Sequence, residues 1–155
     1  MTIYNFGSIN ADYFYQVPHN PAPGQTLAAT GLDHGLGGKG ANQSVATVQA
    51  GAVVVHLGAV GRDGEWLLER LVSLSVATDA IARLSCNSGH AIITVAADGE
   101  NAITLCSGAN TAMSETQLTQ WLAPIREDDW LVMQNETAHQ VHAARMARAQ
   151  GARVM

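Results

Sequence analysis

The sequence predicts an α/β fold with a largely parallel sheet flanked by helices and a small β lid, and three observations lead there. Short runs rich in β-branched residues, such as "AVVVHLGAVG" (52–61), alternate along the chain with segments of helical period. Those runs are apolar along their length, as strands buried on both faces are, rather than alternating with polar residues. The connections are short, which favours strand–helix–strand crossovers and a parallel sheet.

Taken in order, "TIYNFGS" reads as a short strand ending at Gly7-Ser8. "VPHNPAPG" (17–24) is a proline-punctuated loop. Ala41, Val45 and Val48 in "ANQSVATVQAGA" have helical spacing, with Gly51 as the stop. After the strand in 52–61, Asp63 is placed to cap a helix carrying Leu67, Leu68, Leu71 and Val72 on one face. "GHAIITVAADGENAITLCSG" (89–108) is two strand-like runs around Asp98-Gly99. A two-residue type I′ turn there would set Val95 opposite Ala102 and Ile93 opposite Thr104. Ser114 and Gln117 match a capping box, ahead of Leu118, Trp121 and Leu122. "DDWLVMQ" is another buried strand, "TAHQVHAARMARAQG" a helix stopped by Gly151, and "ARVM" the start of one more strand. A parallel sheet that stops in mid-pattern predicts that residues 1–155 are the N-terminal part of a longer domain.

Composition narrows the function. Hydrophobic residues make up 47% and charged residues 14%, which fits a packed core and argues against disorder. A net charge of −5 with no basic run argues against nucleic acid and anionic membrane surfaces as partners. The N-terminus lacks the charged start and apolar core of a signal peptide, and no apolar run approaches the ~18 residues of a membrane span. Cys86 and Cys106 do not make a disulfide framework, so the expected compartment is the cytoplasm. His139 and His142 are spaced i, i+3, but no third ligand lies nearby in sequence, so no metal site is expected.

"GLDHGLGGKGANQS" (31–44) carries five glycines and the only lysine, Lys39. A phosphate-binding G-x-x-x-x-G-K-[ST] loop fails at two fixed positions, held here by Asp33 and Gly40. Gly35, Gly37 and Gly40 satisfy G-x-G-x-x-G. No buried strand precedes them, however, and no acidic residue ends the next strand, as a dinucleotide site requires. Two readings remain. One is a flexible turn with a solvated lysine. The other is a loop that opens a helix and offers backbone N–H groups, Lys39 and Asn42 to a polar ligand. Ligands of open α/β sheets bind at the carboxyl ends of the strands. Asn10 and Asp12 lie past the first strand, and Asn135 and Glu136 past "DDWLVM", so these groups converge with the glycine loop on one sheet edge. Carboxylates, amides and nearby backbone are what a sugar's hydroxyls need.

Motifs then favour the ligand-binding reading. "GGKGANQS" closely resembles the first motif of the ribokinase, or PfkB-like, sugar kinase family, and "GSINAD" (7–12) resembles that family's opening motif. "PAPGQT" (21–26) is similar to its P-x-P-G-E-T segment with Gln25 in place of the acid. "GAVGRDGEW" (58–66) resembles its G-x-D-x-x-G turn loosely, and "SGAN" (107–110) matches well. The resemblance implies ATP-dependent phosphorylation of a primary hydroxyl of ribose or a related sugar. Asp12 and Asn42 would hold sugar hydroxyls, Asn10, Gly38 and Lys39 would complete the cradle, and Glu136 would be an acidic sugar contact. It implies a lid made of strands within about 13–36 and 88–107, often also the contact of a homodimer. It further implies ATP, Mg2+ and a monovalent cation such as K+ as cofactors. The family's general base lies in a Gly-Ala-Gly-Asp motif, and no such motif occurs in these 155 residues. No catalytic residue is therefore assigned within the chain, and by itself it is expected to be inactive. The alternatives are a non-catalytic sugar-binding or dimerisation module, and another sugar or nucleoside kinase of the same family. With only 5% aromatic residues, a stacking pocket for a nucleoside has little support.

Overall fold

A computed structural model describes residues 1–155. Its first strand, β1 (Ile3–Phe6), is the centre of a five-stranded sheet, with Tyr4 and Phe6 buried on one face and Asn5 on the other. It is flanked by β4 (Val54–Val60) and β8 (Trp130–Met133), and the edges are β5 (Ile81–Arg83) and β9 (Arg153–Val154). Every pairing is parallel, as the largely apolar runs predict.

Helices cover both faces. On one, α3 (Glu115–Leu122) and α4 (Gln140–Ala149) pack Leu118, Leu122, Ala143 and Ala147 against Tyr4, Phe6, Leu57 and Leu131. On the other, α1 (Lys39–Gln49) and α2 (Glu65–Ser73) pack Ala41, Leu67, Leu68 and Leu71 against Ile9 and Val60. Ser114 caps α3 as the sequence predicts, its hydroxyl accepting from the Gln117 N–H at 3.1 Å. Gly51 and Gly151 both take positive φ just past α1 and α4.

The second sheet has the order β3-β2-β6-β7: β2 (Asn10–Val17), β3 (Gly31–Gly37), β6 (Gly89–Ala96) and β7 (Asn101–Cys106). Its central pair, β2 with β6, is parallel, and both outer pairs are antiparallel. Residues 18–30 between β2 and β3 have no regular structure, so the expected strand segment 13–36 resolves into two strands around a long loop.

Asn10 and Asp12 lie past β1, as expected, and open the strand β2. Three expectations need correction. Asp63 does not cap α2: Gly64 holds the cap position, and the Asp63 carboxylate accepts from the Ser88 N–H at 2.7 Å, tying the turn after β4 to the start of β6. Val72 is 58% exposed, because the apolar face of α2 is spanned by Leu67, Leu68 and Leu71 alone. The β6–β7 register is one residue off, with Thr94 opposite Ala102 and Ile93 opposite Ile103. Only Gly99 takes positive φ. The Ala96 N–H bonds to the Glu100 carbonyl, and the Gly99 N–H to Ala96. This is a three-residue loop, a type I turn followed by a left-handed glycine, and not a two-residue I′ turn. A slip of one residue exchanges the faces of a strand, so this register turns Ile103 and Leu105 to the same side as Ile93 and Ala91.

Candidate functional site

The two sheets meet where β1 ends. Gly7-Ser8-Ile9 carries the chain from the core sheet into β2, and the glycine loop crosses directly over that turn. Gly38 precedes α1 with φ +93, where a side chain would be strained and a Cβ would lie 2.6 Å from the Ser8 carbonyl oxygen. At Gly40 a Cβ would fall 2.5 Å from the Gly7 Cα, so α1 sits backbone to backbone on the turn. The Ala41 N–H donates to the Ser8 carbonyl at 2.9 Å.

Above this junction lies a cavity of about 240 Å³. Asn10, Asp12, Gly38, Lys39, Asn42 and Glu136, all six residues expected at the site, line it. Asn10 and Asp12 are two apart on β2 and so share a face. Asn42 projects from the first turn of α1, and Glu136 follows β8. The remaining wall is apolar: Ala91 and Ile93 from β6, and Ile103 and Leu105 from β7.

The two carboxylates differ. Burial pushes the Asp12 carboxyl above the usual carboxylate range, and the negative charge of Glu136 adds to the shift. Burial also works upward on Glu136. There the bonds from the Lys39 ammonium and the Ser8 hydroxyl, the latter at 2.6 Å, outweigh it and hold the carboxyl below the usual range. Glu136 is thus a fixed anion that orients Lys39, while Asp12 has no basic partner and is the carboxylate free to accept from a ligand.

Two supporting residues lie inside the motifs, Ser8 in "GSINAD" and Asn110 in "SGAN", but the motifs assign them no role. Ser8 anchors Glu136. Asn110 is buried and donates to the Asn10 Oδ1 at 2.8 Å, while its own Oδ1 accepts from the Ile9 N–H at 2.9 Å. Asn110 thus fixes the Asn10 amide and the turn together. His139 and His142 do not converge: the His139 Nε2 meets the Met113 carbonyl, and the His142 Nδ1 pairs with Glu115 at 2.8 Å. Nowhere do three His, Cys, Asp or Glu side chains come together as a metal would need.

Comparison with known proteins agrees with this architecture. The profile described as "pfkB family carbohydrate kinase" matches residues 2–153, and the chain belongs to that family. It is 38% identical to a ribokinase of Haemophilus influenzae over 99% of this chain and 52% of that one. Among solved structures it resembles a ribokinase from Cryptococcus neoformans in complex with ADP, with 40% identity and a TM-score of 0.78 over 93% of this chain and 45% of the other. It also resembles an Arabidopsis thaliana ribokinase complexed with ribose and ATP, with 25% identity and a TM-score of 0.81 over 99% of this chain and 51% of the other. The chain spans about half the length of the curated relatives it matches. No helix is long and apolar enough to cross a membrane.

Proposed function

We propose that this chain forms the sugar-binding half of a cytoplasmic, ATP-dependent kinase acting on a primary hydroxyl of ribose or a related sugar. The observation that carries the reading is the convergence of Asp12, Asn10, Asn42 and the Lys39–Glu136 pair on one cavity with an apolar roof. Such a site suits a polyol. Asp12 accepts hydroxyl protons, the amides both donate and accept, and the backbone of Gly38 lets a sugar ring lie close. The apolar residues of β6 and β7 pack the carbon face and exclude water, which would otherwise compete for the transferred phosphoryl group.

Phosphoryl transfer also needs a nucleotide held in line, a metal to spread its charge and a base for the attacking hydroxyl. The residues present do not supply these. Asp12 and Glu136 are committed to the sugar cradle, and no third acidic or imidazole ligand joins them. No step through Mg2+, K+ or ATP is assigned to these residues. The outer face of the second sheet exposes Leu32 and Ile92, which supports its use as the contact of a homodimer.

Calorimetric titration of the chain with ribose, together with coupled ADP release in the presence of ATP, magnesium and potassium, tests the reading. Ribose binding without turnover is the expected result. Sugar-dependent turnover at an ordinary kinase rate would place a complete active site within these residues. Absence of binding to any pentose or hexose would remove the sugar assignment. The missing Gly-Ala-Gly-Asp motif favours one other reading, a non-catalytic sugar-binding or dimerisation module. A version of the protein extended by further family sequence that binds sugar yet never turns over would decide for it.

A further inference from the structure

Where α1 lies on the core sheet, a polar group sits within the otherwise apolar contact. Asn5 interrupts the apolar run of β1, and His56 that of β4, directly opposite it in the parallel register. Ser44 faces them from α1. Asn5 is 1% exposed, and Ser44 and His56 are 0% exposed. Packing alone would choose aliphatic side chains at three such positions, because a buried polar group is tolerated only when it is bonded.

They are bonded in a chain with one consistent direction. The Asn5 Nδ2 donates to the Gly40 carbonyl at 2.7 Å and to the Ser44 Oγ at 2.8 Å, which uses both amide hydrogens. The Asn5 Oδ1 accepts from the Gln134 Nε2 at 2.9 Å. The Ser44 hydroxyl, having accepted from Asn5, gives its proton to the His56 Nδ1 at 2.8 Å. That assignment places the remaining imidazole proton on Nε2, which has no partner in hydrogen-bond geometry and lies beside the Gly7 carbonyl.

Three backbone segments build the candidate site, and this chain meets all of them. Gly40 belongs to the glycine loop, Gly7 to the turn that leads to Asn10 and Asp12, and Gln134 immediately precedes Asn135 and Glu136. We propose that the buried chain His56–Ser44–Asn5, completed by Gln134, positions the Gly38–Asn42 loop against the Glu136 segment and so sets the geometry of the sugar cradle. These are positioning residues, since none of them lines the cavity. A buried polar chain adds little net stability over an apolar equivalent, but its bonds fix distance and direction where aliphatic contacts would permit sliding. Gly7 and Gly40 have no side chains with which to lock α1 in place, so the Asn5 amide supplies the lock.

The inference rests on the sugar-binding reading for its functional meaning but not for its test. In the intact protein, Ser44→Ala removes the middle of the chain and Gln134→Leu its outer end. Amide hydrogen exchange without ligand is expected to speed up about tenfold at Gly40–Asn42 in both variants, with Ala143–Ala147 in α4 unchanged. Titration with D-ribose is expected to show affinity about tenfold weaker. Loop exchange unchanged in the folded variants, or an acceleration shared equally by α4, would overturn the proposal. If Ser44→Ala does not fold, Gln134→Leu, at a half-buried position, decides alone. If the unmodified protein binds no ribose, the sugar-binding reading fails, and the exchange pattern still decides the positioning role.

Discussion

The two sheets of this molecule are made of similar strands and are held in different ways. In the five-stranded sheet β1 lies between two parallel neighbours and between two layers of helices, and Phe6, Leu57 and Leu131 are almost fully buried. In the four-stranded sheet all six residues of β7 are exposed, and only one residue of β3 is buried. One sheet is a core, the other a roof with little beneath it. The candidate site lies on the seam, taking Glu136 and the glycine loop from the rigid side, and Asn10, Asp12 and its apolar cover from the four-stranded sheet. That division suits the proposed function, which needs a site precise toward a ligand's hydroxyls yet able to admit and release it.

Substitutions should separate the two sheets. The largest effect belongs to the core: Leu131→Ala is expected to destabilise the chain by about 2–5 kcal/mol, read as a lower urea midpoint, because the surrounding layers cannot collapse into the space. Acid should also act on the core. Burial, only partly offset by the Gly7 carbonyl, lowers the pKa of His56 to about 4. Unfolded, the same ring titrates near 6.5. The unfolded state therefore binds the extra proton, and this part of the stability is complete above about pH 6.5, falls as the pH drops toward 4, and levels off below. The loss is about 3 kcal/mol by linkage. Unfolding midpoints measured across that window should decline in the native chain and stay flatter in His56→Phe.

At the seam, Asp12→Ala is expected to weaken ribose binding by about ten- to a hundredfold, equivalent to about 1.5–3 kcal/mol, with a smaller change in the unfolding midpoint. Equal changes in both quantities would mean that Asp12 only holds β2 in place. The smallest stability effect is expected in the roof. Ile103 is 59% exposed, so Ile103→Ala should move the midpoint by less than about 0.5 kcal/mol while still lowering sugar affinity. A large stability loss from Ile103→Ala would erase the contrast between the sheets.

The same contrast explains what could be read from the sequence. The core strands and their helices were legible because burial on two faces writes long apolar runs and helical periods, as in 52–61 and Leu67–Leu71. The six residues that line the cavity were picked out through motifs whose glycines leave no room for side chains, at Gly38 and Gly40. Exposed strands write weaker signals. β2 and β3 were partly taken for loop, and the β6–β7 register slipped because Asp98-Gly99 suits a two-residue turn as well as the last two places of a three-residue one. Asn5, Ser44 and His56 carry no motif at all. Their only trace is a polar letter in an apolar stretch, and their partners are fixed by tertiary approach alone.

The pairing of β2 with β6 has a consequence for how the molecule is made. Asn10 is bonded alongside Gly89, and α1, β4, α2 and β5 are all synthesised between them. At translation speeds of about 5–20 residues per second, β2 waits on the order of several seconds for its central partner. During that interval it has only the antiparallel β3 beside it, and a lone two-stranded ribbon is marginal in water. The nascent chain thus carries an open strand edge bearing Tyr13, Phe14 and Tyr15 until β6 emerges. This is the period in which it is most exposed to mispairing with a neighbouring copy, and the segment a chaperone would do most to shield.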